Sequence, residues 1–506
     1  MIALLPTLAL ALPPQVTNTV VATYSESVVQ LRGANLGTPS ADHELLVESG
    51  GHIRRMPSTH ANVQLWTDDR IEVLLPPGTP SGRLRVLTPD GVSVEVEVAV
   101  FDYDWYDIPP TPGTNPSPLS ITVDSAQRVW VNQEFHLELQ LLDPSVGAVT
   151  GLPLPQPAGP GPFANTIFSD HQTQTSVLGE EVLEDPSGRI WFTQGGGYLY
   201  SGAHPNHSRV VMVLPDEVGG PQFRVYNVPG DWNEVVGAEW DDGRGWLWFA
   251  QGGLTAGAKI TGFDPDLIAW DNTFEFDVSL NHQICGVGNP GDPCYHTYDL
   301  PNPTAQPAHL YIDNAGYVWY TAFWGNAIGR LNPATGVVNE YPLSAHISQA
   351  EPAIYVGAGP WEILGLPDGD IVFNEFFDAT LVRFDTSRAD DPACLTLDLA
   401  GQNPCMVDRV IPDADPVDEQ LHSIALDLAG NLWYSIHTAD VPGLGGSVGY
   451  LTPDGEMTRL PPLDDFPGTG AGTVAGIAVD PVDGDLWLAE FWRKRVGHLT
   501  RVPELP

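Results

Sequence analysis

The sequence predicts an all-β chain: a seven-bladed β-propeller preceded by a small β-sandwich. Three observations predict it. A pattern of four short strands recurs with a tryptophan as its marker, 52 glycines and 48 prolines supply many turns, and no stretch carries a sustained apolar stripe of helical period. The clearest unit is 306–343, QPAHLYIDNAGYVWYTAFWGNAIGRLNPATGVVNEYPL. There 308–312 is an apolar strand and Asp313-Asn314-Ala315-Gly316 a turn whose glycine can take positive φ. Strands at 317–322 and 328–331 follow, then the turn Asn332-Pro333-Ala334-Thr335-Gly336 and an alternating edge strand at 337–343.

Trp130, Trp191, Trp248, Trp433 and Trp487 occupy the place of Trp319, and Val372 takes it in a further copy. A turn acid six residues earlier is Asp124, Asp185, Asp242, Asp313 or Asp427. LQLLDPSVGAV, ITGFDPD, LVRFDTS and VGYLTPDGE echo the third strand, and FRVYNVP, FEFDVSL and MTRLPPL the fourth. Such a sheet cannot bury both faces alone, whereas a closed ring of seven can.

Taken in order, the chain opens on IALLPTLALAL, 2–12, an apolar run with the texture of a secretory signal but no basic residue before it; 1–12 is read as a signal peptide. Residues 15–101 alternate like the strands of a small sandwich. Their Gly33-Ala34-Asn35-Leu36-Gly37 motif and the run 75–84 resemble the IPT/TIG family of immunoglobulin-like (Ig-like) modules, which implies a spacer or binding element. Segment 103–108, YDWYDI, has the texture of the outer strands, and the last repeat stops after three strands. It is expected to close the last blade of a propeller spanning 102–506, removing two exposed strand edges. Blades are expected at 118–155, 179–228, 236–280, 307–343, 360–411, 421–463 and 474–501, with 156–176 an inter-blade loop.

The chain is strongly acidic, with 21 basic against 64 acidic residues and a formal charge of −43. Such a surface repels nucleic acid and anionic membranes and suits a salty exterior. The cysteines fall into two local pairs, Cys285 with Cys294 and Cys394 with Cys405, neither in CxxC spacing. Two loop-closing disulfides are expected, each contributing about 2–3 kcal/mol, in preference to a zinc site. Together with the leader this places the protein outside the cytoplasm: secreted, periplasmic or at the cell surface. No segment is long enough for a transmembrane helix, and a monomer is expected.

Residues that begin an innermost strand and end the second strand meet at one mouth of a propeller channel. Eleven positions before each marker stand Leu119, Glu180, Gly237, Ala308, Trp361 and His422, with Ala475 in the longer last repeat. Second-strand ends add Glu134, Gln194, Gln251, Glu375, His437 and Glu490, and Trp324 adds an aromatic wall. This mixture suits a small-molecule or metal site. His309 is one residue out of step and is expected to turn away. Arg493-Lys494-Arg495, the only basic cluster, either draws an anion to the mouth or is a solvated loop.

The repeat pattern in 306–336 and 420–455 resembles the streptogramin lyase (virginiamycin B lyase) family of seven-bladed propellers over most of 118–501. The resemblance implies elimination at the ester of a cyclic depsipeptide, with a general-base histidine, a magnesium-holding glutamate and a substrate-contacting histidine. His422 stands at the base position, but Gln420-Leu421 replaces the Glu-Pro pair before it, with Glu419 one place earlier. His437 replaces the metal glutamate, and Trp361 the substrate histidine. His422, Glu419 and His437 are thus the candidate catalytic set. Any divalent metal they hold would be softer than magnesium, and its identity is unassigned. Trp361, Glu180, Glu375, Glu490, Gln194, Gln251 and Glu134 are candidate ligand-binding residues, for a small molecule or a protein partner.

Overall fold

The computed structural model describes residues 12–18, 20–110, 117–133, 138–153, 177–178, 181–196, 208–227, 234–252, 257–267, 295–344, 358–412, 414, 419–438, 446–463, 474–491 and 493–505. It is an all-β protein with two compact units: Met1–Asp104 with Gly449–Pro461 and Leu499–Pro506, and Trp105–Val448 with Pro462–His498.

In the first unit, one sheet orders Gln15–Val16, Val28–Ala34, Arg70–Leu74 and Val63–Trp66. The other contains Gly82–Thr88, Glu44–Ser49, His52–Pro57 and the first part of Val96–Asp107, which Val20–Tyr24 joins in parallel. Their alternating apolar residues, among them Val29, Leu31 and Ile71 from one sheet and Leu45, Val86 and Val98 from the other, share one core.

The second unit is a β-propeller. Its first sheet orders Pro118–Val123, Val129–Gln133, Glu138–Asp143 and Ala148–Pro153, each strand antiparallel to the next. The same plan repeats with Val182–Glu184, Ile190–Gly196, Arg209–Leu214 and Gln222–Asn227, where Val177–Leu178 also pairs with the second strand. It continues with Glu234–Asp241, Trp246–Gly252, Lys259–Phe263 and Tyr295–Asp299, then with Pro307–Ile312, Val318–Ala322, Ala327–Asn332 and Val337–Pro342. Next come Pro360–Gly365, Ile371–Glu375, Thr380–Phe384 and Met406–Val410, then Glu419–Leu426, Leu432–Thr438 and Ser447–Leu451, the end of which pairs with Met457–Arg459 within the first unit. The last sheet orders Val474–Val479, Leu486–Glu490 and Arg495–Arg501, with the chain from Trp105 beside the third strand. Ile108 N–H donates to Lys494 O at 3.0 Å, and Arg495 lies 5.0 Å over the Trp105 ring. Ile108, Trp487 and Val496 share a core with Ile121 and Val129, so the last sheet packs on the first and closes the ring.

The recurring acid and tryptophan act together. Asp313 Oδ1 accepts the N–H groups of Ala315 and Tyr317, both at 2.9 Å, and its Oδ2 accepts Trp319 Nε1–H at 2.8 Å. One carboxylate thus satisfies a turn and the indole that reaches back to it. Gly316 completes the turn at φ 80°. Asp124, Asp185 and Asp427 hold Trp130, Trp191 and Trp433 in the same way at 2.8–2.9 Å. In the third sheet the acid is Asp241, 3.1 Å from Trp248 Nε1, and not Asp242 as expected. That turn starts one residue earlier, pairing Asp241 with Trp246. The tryptophans are wedged between sheets: Trp319 and Tyr341 share a core with Ile363, Phe373 and Phe384 of the next sheet.

A second correction concerns the third sheet's outer strand. It is Tyr295–Asp299, paired with Lys259–Phe263, and FEFDVSL lies outside the described residues, as do Cys285 and Cys294. Cys394 and Cys405 form a disulfide with Cα atoms 5.5 Å apart, tying the connection between the third and outer strands of the fifth sheet. Among the described residues no helix is long and apolar enough to cross a membrane.

Candidate functional site

The innermost strands are not regular. Their pairing shifts between Pro118 and Ser120, Val235 and Ala238, Pro307 and Leu310, Pro360 and Ile363, Leu421 and Ile424, and Val474 and Gly476. A bulge leaves a backbone N–H without a ladder partner, and a side chain two residues after the marker accepts it. His309 N–H donates to Thr321 Oγ1 at 3.0 Å, Glu362 N–H to Asn374 Oδ1 at 2.8 Å, Ser423 N–H to Ser435 Oγ at 2.8 Å, and Glu181 N–H to Thr193 Oγ1 at 3.1 Å. Thr321 and Asn374 then donate onward to Trp361 O at 2.6 Å and Leu421 O at 2.8 Å in the next sheet. Thr193 does the same to Val236 O at 2.7 Å.

The bulges decide what faces the channel. A chamber of about 160 Å³ is lined by Ser120, Glu181, Ala238, His309, Glu362 and Ser423, the residues ten before each marker, and by Glu239, Trp361 and His422. Its volume is comparable to a cavity that accepts a benzene ring.

His309 is 6% exposed, and its Nδ1 lies 3.0 Å from Glu181 Oε2. Burial works against the imidazolium, but the hydrogen bond and charge of Glu181, with the charge of Glu362, raise its pKa above the ordinary value. Glu362 Oε2 accepts Ile424 N–H at 2.6 Å and Ser423 Oγ–H at 3.1 Å. Burial nevertheless pushes its carboxyl up to about 7, with Glu181 adding to the rise and His309 opposing it. Glu239 keeps part of its surface open to the channel yet is enclosed by protein; burial first, then the charges of Glu181 and Asp242, pushes it up to about 8.

Aromatic rings stand beside the chamber. Trp361 lies 5.1 Å from His309, 5.2 Å from Phe323, 5.9 Å from Phe376 and 5.8 Å from His422. Phe377 packs on Phe323 and Phe376, and Trp324, 41% exposed, on Phe323.

Of the residues expected at the mouth, the chamber brings together Leu119, Trp361, His422 and Ala475, of which Trp361 and His422 are candidate site residues. Glu419 is buried opposite Thr438, and His437 pairs with Gln420; the His437 side chain lies outside the described residues, as do Glu180 and Glu134. Glu375, Gln194 and Gln251 are buried in second strands and do not line the chamber; Gln251 accepts from Thr261 Oγ1. Glu490 is 1% exposed and ion-paired with Arg495 at 2.9 Å and Arg493 at 3.4 Å. The basic cluster is therefore neither an anion lure nor a solvated loop: Arg495 is buried and both arginines hold Glu490.

His309 requires the opposite correction. It faces the chamber, because the bulge between Pro307 and Leu310 breaks the alternation that would turn it away. Sequence reasoning missed Glu181, Glu239 and Glu362 by keeping the offset at eleven. A usable signal was present, since Glu181, His309 and Glu362 share an offset of ten, opposite a polar residue two places past the marker.

Among the described residues, three potential ligand atoms converge only at Asp391, Cys394 and Cys405, where two are disulfide sulfurs. That donor set does not fit magnesium.

No family model matches the chain, and no curated protein matches it. Among solved structures it is similar to a streptogramin B lyase, at 20% identity and a TM-score of 0.51, over 79% of this chain and 98% of the other. It is likewise similar to the selenomethionine-substituted virginiamycin B lyase from Staphylococcus aureus, at 18% identity and a TM-score of 0.52, over 79% of this chain and 99% of the other. A catalytically inactive form of the S. aureus enzyme with quinupristin gives 18% identity, 79% and 99% coverage and a TM-score of 0.51. At these identities the likeness is one of fold.

Proposed function

We propose that the chain is an exported, acidic, seven-bladed β-propeller preceded by an IPT/TIG (Ig-like) module, and that it binds a small molecule in the channel chamber. The boundaries proposed are 1–12 for the leader, 15–101 for the module and 102–506 for the propeller, with 103–108 closing the last blade. Binding rests on one observation: the chamber is lined by carboxylates and imidazoles beside aromatic rings, a convergence of polar groups on an enclosed space. Export is supported by the Cys394–Cys405 disulfide. The closing-strand reading is supported by the hydrogen bond from Ile108 to Lys494.

The test is a thermal-shift panel of small charged and neutral molecules on the full chain and on Ser120→Phe. Ser120 lines the chamber, and a phenyl group there fills a space of benzene size. A ligand that stabilises the wild type and not the variant supports the reading. Ligands that stabilise both equally place binding elsewhere and overturn it.

A second reading is a carbon–oxygen lyase opening cyclic depsipeptide esters, favoured by His422 at the chamber edge beside Trp361. The imidazole would take the proton next to the carbonyl as the ester C–O bond breaks and the carboxylate leaves. The product would be linear, of unchanged mass, with a new double bond. Absence of that product from a cyclic depsipeptide incubated with the wild type would sink this reading.

A further inference from the structure

We propose that the chamber is a site for a small organic ammonium ion, held by Glu181, Glu239 and Glu362 with the Trp361 and Phe376 rings at its edge. This names the ligand class of the binding reading above and rests on it.

Among the described residues the lining carries three carboxyl groups and no lysine or arginine, so it gains negative charge as those carboxyls lose their protons, and that charge favours a cation. A carboxylate cluster alone is commonplace, but His309 adds an independent sign. It is 6% exposed and lines the chamber, its Nδ1 is committed to Glu181, and among the described residues its Nε2 has no hydrogen-bond partner. A buried polar atom left so is costly unless something arrives to meet it. With Nδ1–H donating to Glu181, the neutral ring offers Nε2 as an acceptor for an ammonium N–H.

A divalent metal is the rival cation. It would need several ligand atoms already convergent, and among the described residues the chamber assembles no set of three within 4.8 Å of one another. An ammonium ion needs only acceptors spaced around it, and it gains from aromatic faces. Trp361 and Phe376, 5.9 Å apart and both near His422, supply such faces. The chamber would take the ammonium head, and any larger body would lie over the rings.

The titratable groups facing the space are Glu181, Glu239, His309, Glu362 and His422, with Asp242 acting on Glu239. Glu362 and Glu239 hold protons up to about 7 and about 8, and His309 is also raised. A cation favours the deprotonated form of each, so binding expels protons and tightens as pH rises.

Calorimetry on the full chain tests this with benzylammonium, its neutral isostere benzyl alcohol, and magnesium or calcium chloride alone. The expected result is benzylammonium binding with proton release, tightening about tenfold or more from about pH 6 to 8.5, with benzyl alcohol at least about tenfold weaker. Glu362→Gln should weaken binding and reduce the proton release; if it fails to fold, Glu239→Gln is used. Equal binding of benzyl alcohol overturns the cation inference and leaves the small-molecule reading standing. Metal binding that excludes benzylammonium overturns it in favour of a metal site. No heat from any probe overturns it outright, while the separate thermal-shift panel still decides the broader reading.

Discussion

His309 Nδ1 lies 3.0 Å from Glu181 Oε2, although 128 positions separate them and the third sheet's innermost strand stands between theirs. That strand lets the pair meet. It places Ala238 at the equivalent channel position and Gly237 just before it. A Cβ on Gly237 would lie 2.5 Å from Ala308 O, 2.7 Å from His309 Cα and 3.1 Å from His309 Nδ1. The absence of a side chain at Gly237 thus allows a bond between the two neighbouring sheets.

Gly237→Ala should therefore push His309 away from Glu181. Two of the close contacts are with backbone, which cannot rotate aside, so a cost of about 1–3 kcal/mol is expected. The raised pKa of His309 should fall back toward its ordinary value. Histidine NMR titration together with urea melts checks both. A stable variant with an unchanged His309 titration would show that the contact is not restrictive.

The chamber carboxylates set a pH dependence of stability. Glu362 titrates at about 7 in the fold against 4.5 ordinarily, so the native state binds more protons between those values. The stabilisation tied to its proton is fully present below the unfolded value and is lost as pH rises through about 7. His309, also raised, acts in the same direction. Glu362→Gln should stabilise the protein relative to wild type by about 1–3 kcal/mol near pH 8.5, with no gain near pH 5. Urea denaturation at the two pH values measures this, and an equal effect at both would refute it.

Much of the fold could be read from the chain because its signals are local. Trp130, Trp191, Trp248, Trp319 and Trp433 each follow their aspartate by six or seven residues, since one carboxylate must reach both the turn and the indole, as Asp313 does. The site was less legible, because a bulge changes which residue faces inward without changing composition. Trp361 and His422 were found at an offset of eleven, whereas Glu181, His309 and Glu362 lie one residue later. Glu490 misled for another reason: its arginine partners follow a turn, and sequence spacing does not reveal whether a strand-end carboxylate meets water or guanidinium.

Removal of the disulfide should be costly but local. The loop it closes spans 11 positions, for which chain entropy gives about 2–3 kcal/mol. Asn403 Nδ2 also donates to Cys394 O at 2.9 Å and Pro342 O at 2.8 Å, so part of the loop geometry survives reduction. The double variant Cys394→Ser with Cys405→Ser should lose about 2–3 kcal/mol in urea denaturation and keep its chamber ligand affinity. A loss of affinity with retained stability would link this loop to the site.

Thr321 separates support of the site from the site itself. Its hydroxyl accepts His309 N–H at 3.0 Å and donates to Trp361 O at 2.6 Å, so one atom positions two chamber residues on adjacent sheets. Thr321 is fully buried, and Thr321→Val keeps the shape while leaving a donor and an acceptor unsatisfied. The expected cost is about 2–6 kcal/mol, at about 1–3 kcal/mol for each of the two stranded groups. Thr321→Ser retains the hydroxyl and loses only a methyl group, so its cost should be near 1 kcal/mol. If the oxygen orders the chamber, the serine variant keeps wild-type affinity for a chamber ligand, while the valine variant binds about tenfold or more weakly even where both are fully folded. Equal affinities in the two folded variants would mean that Thr321 only ties the sheets together and that His309 and Trp361 keep their places without it.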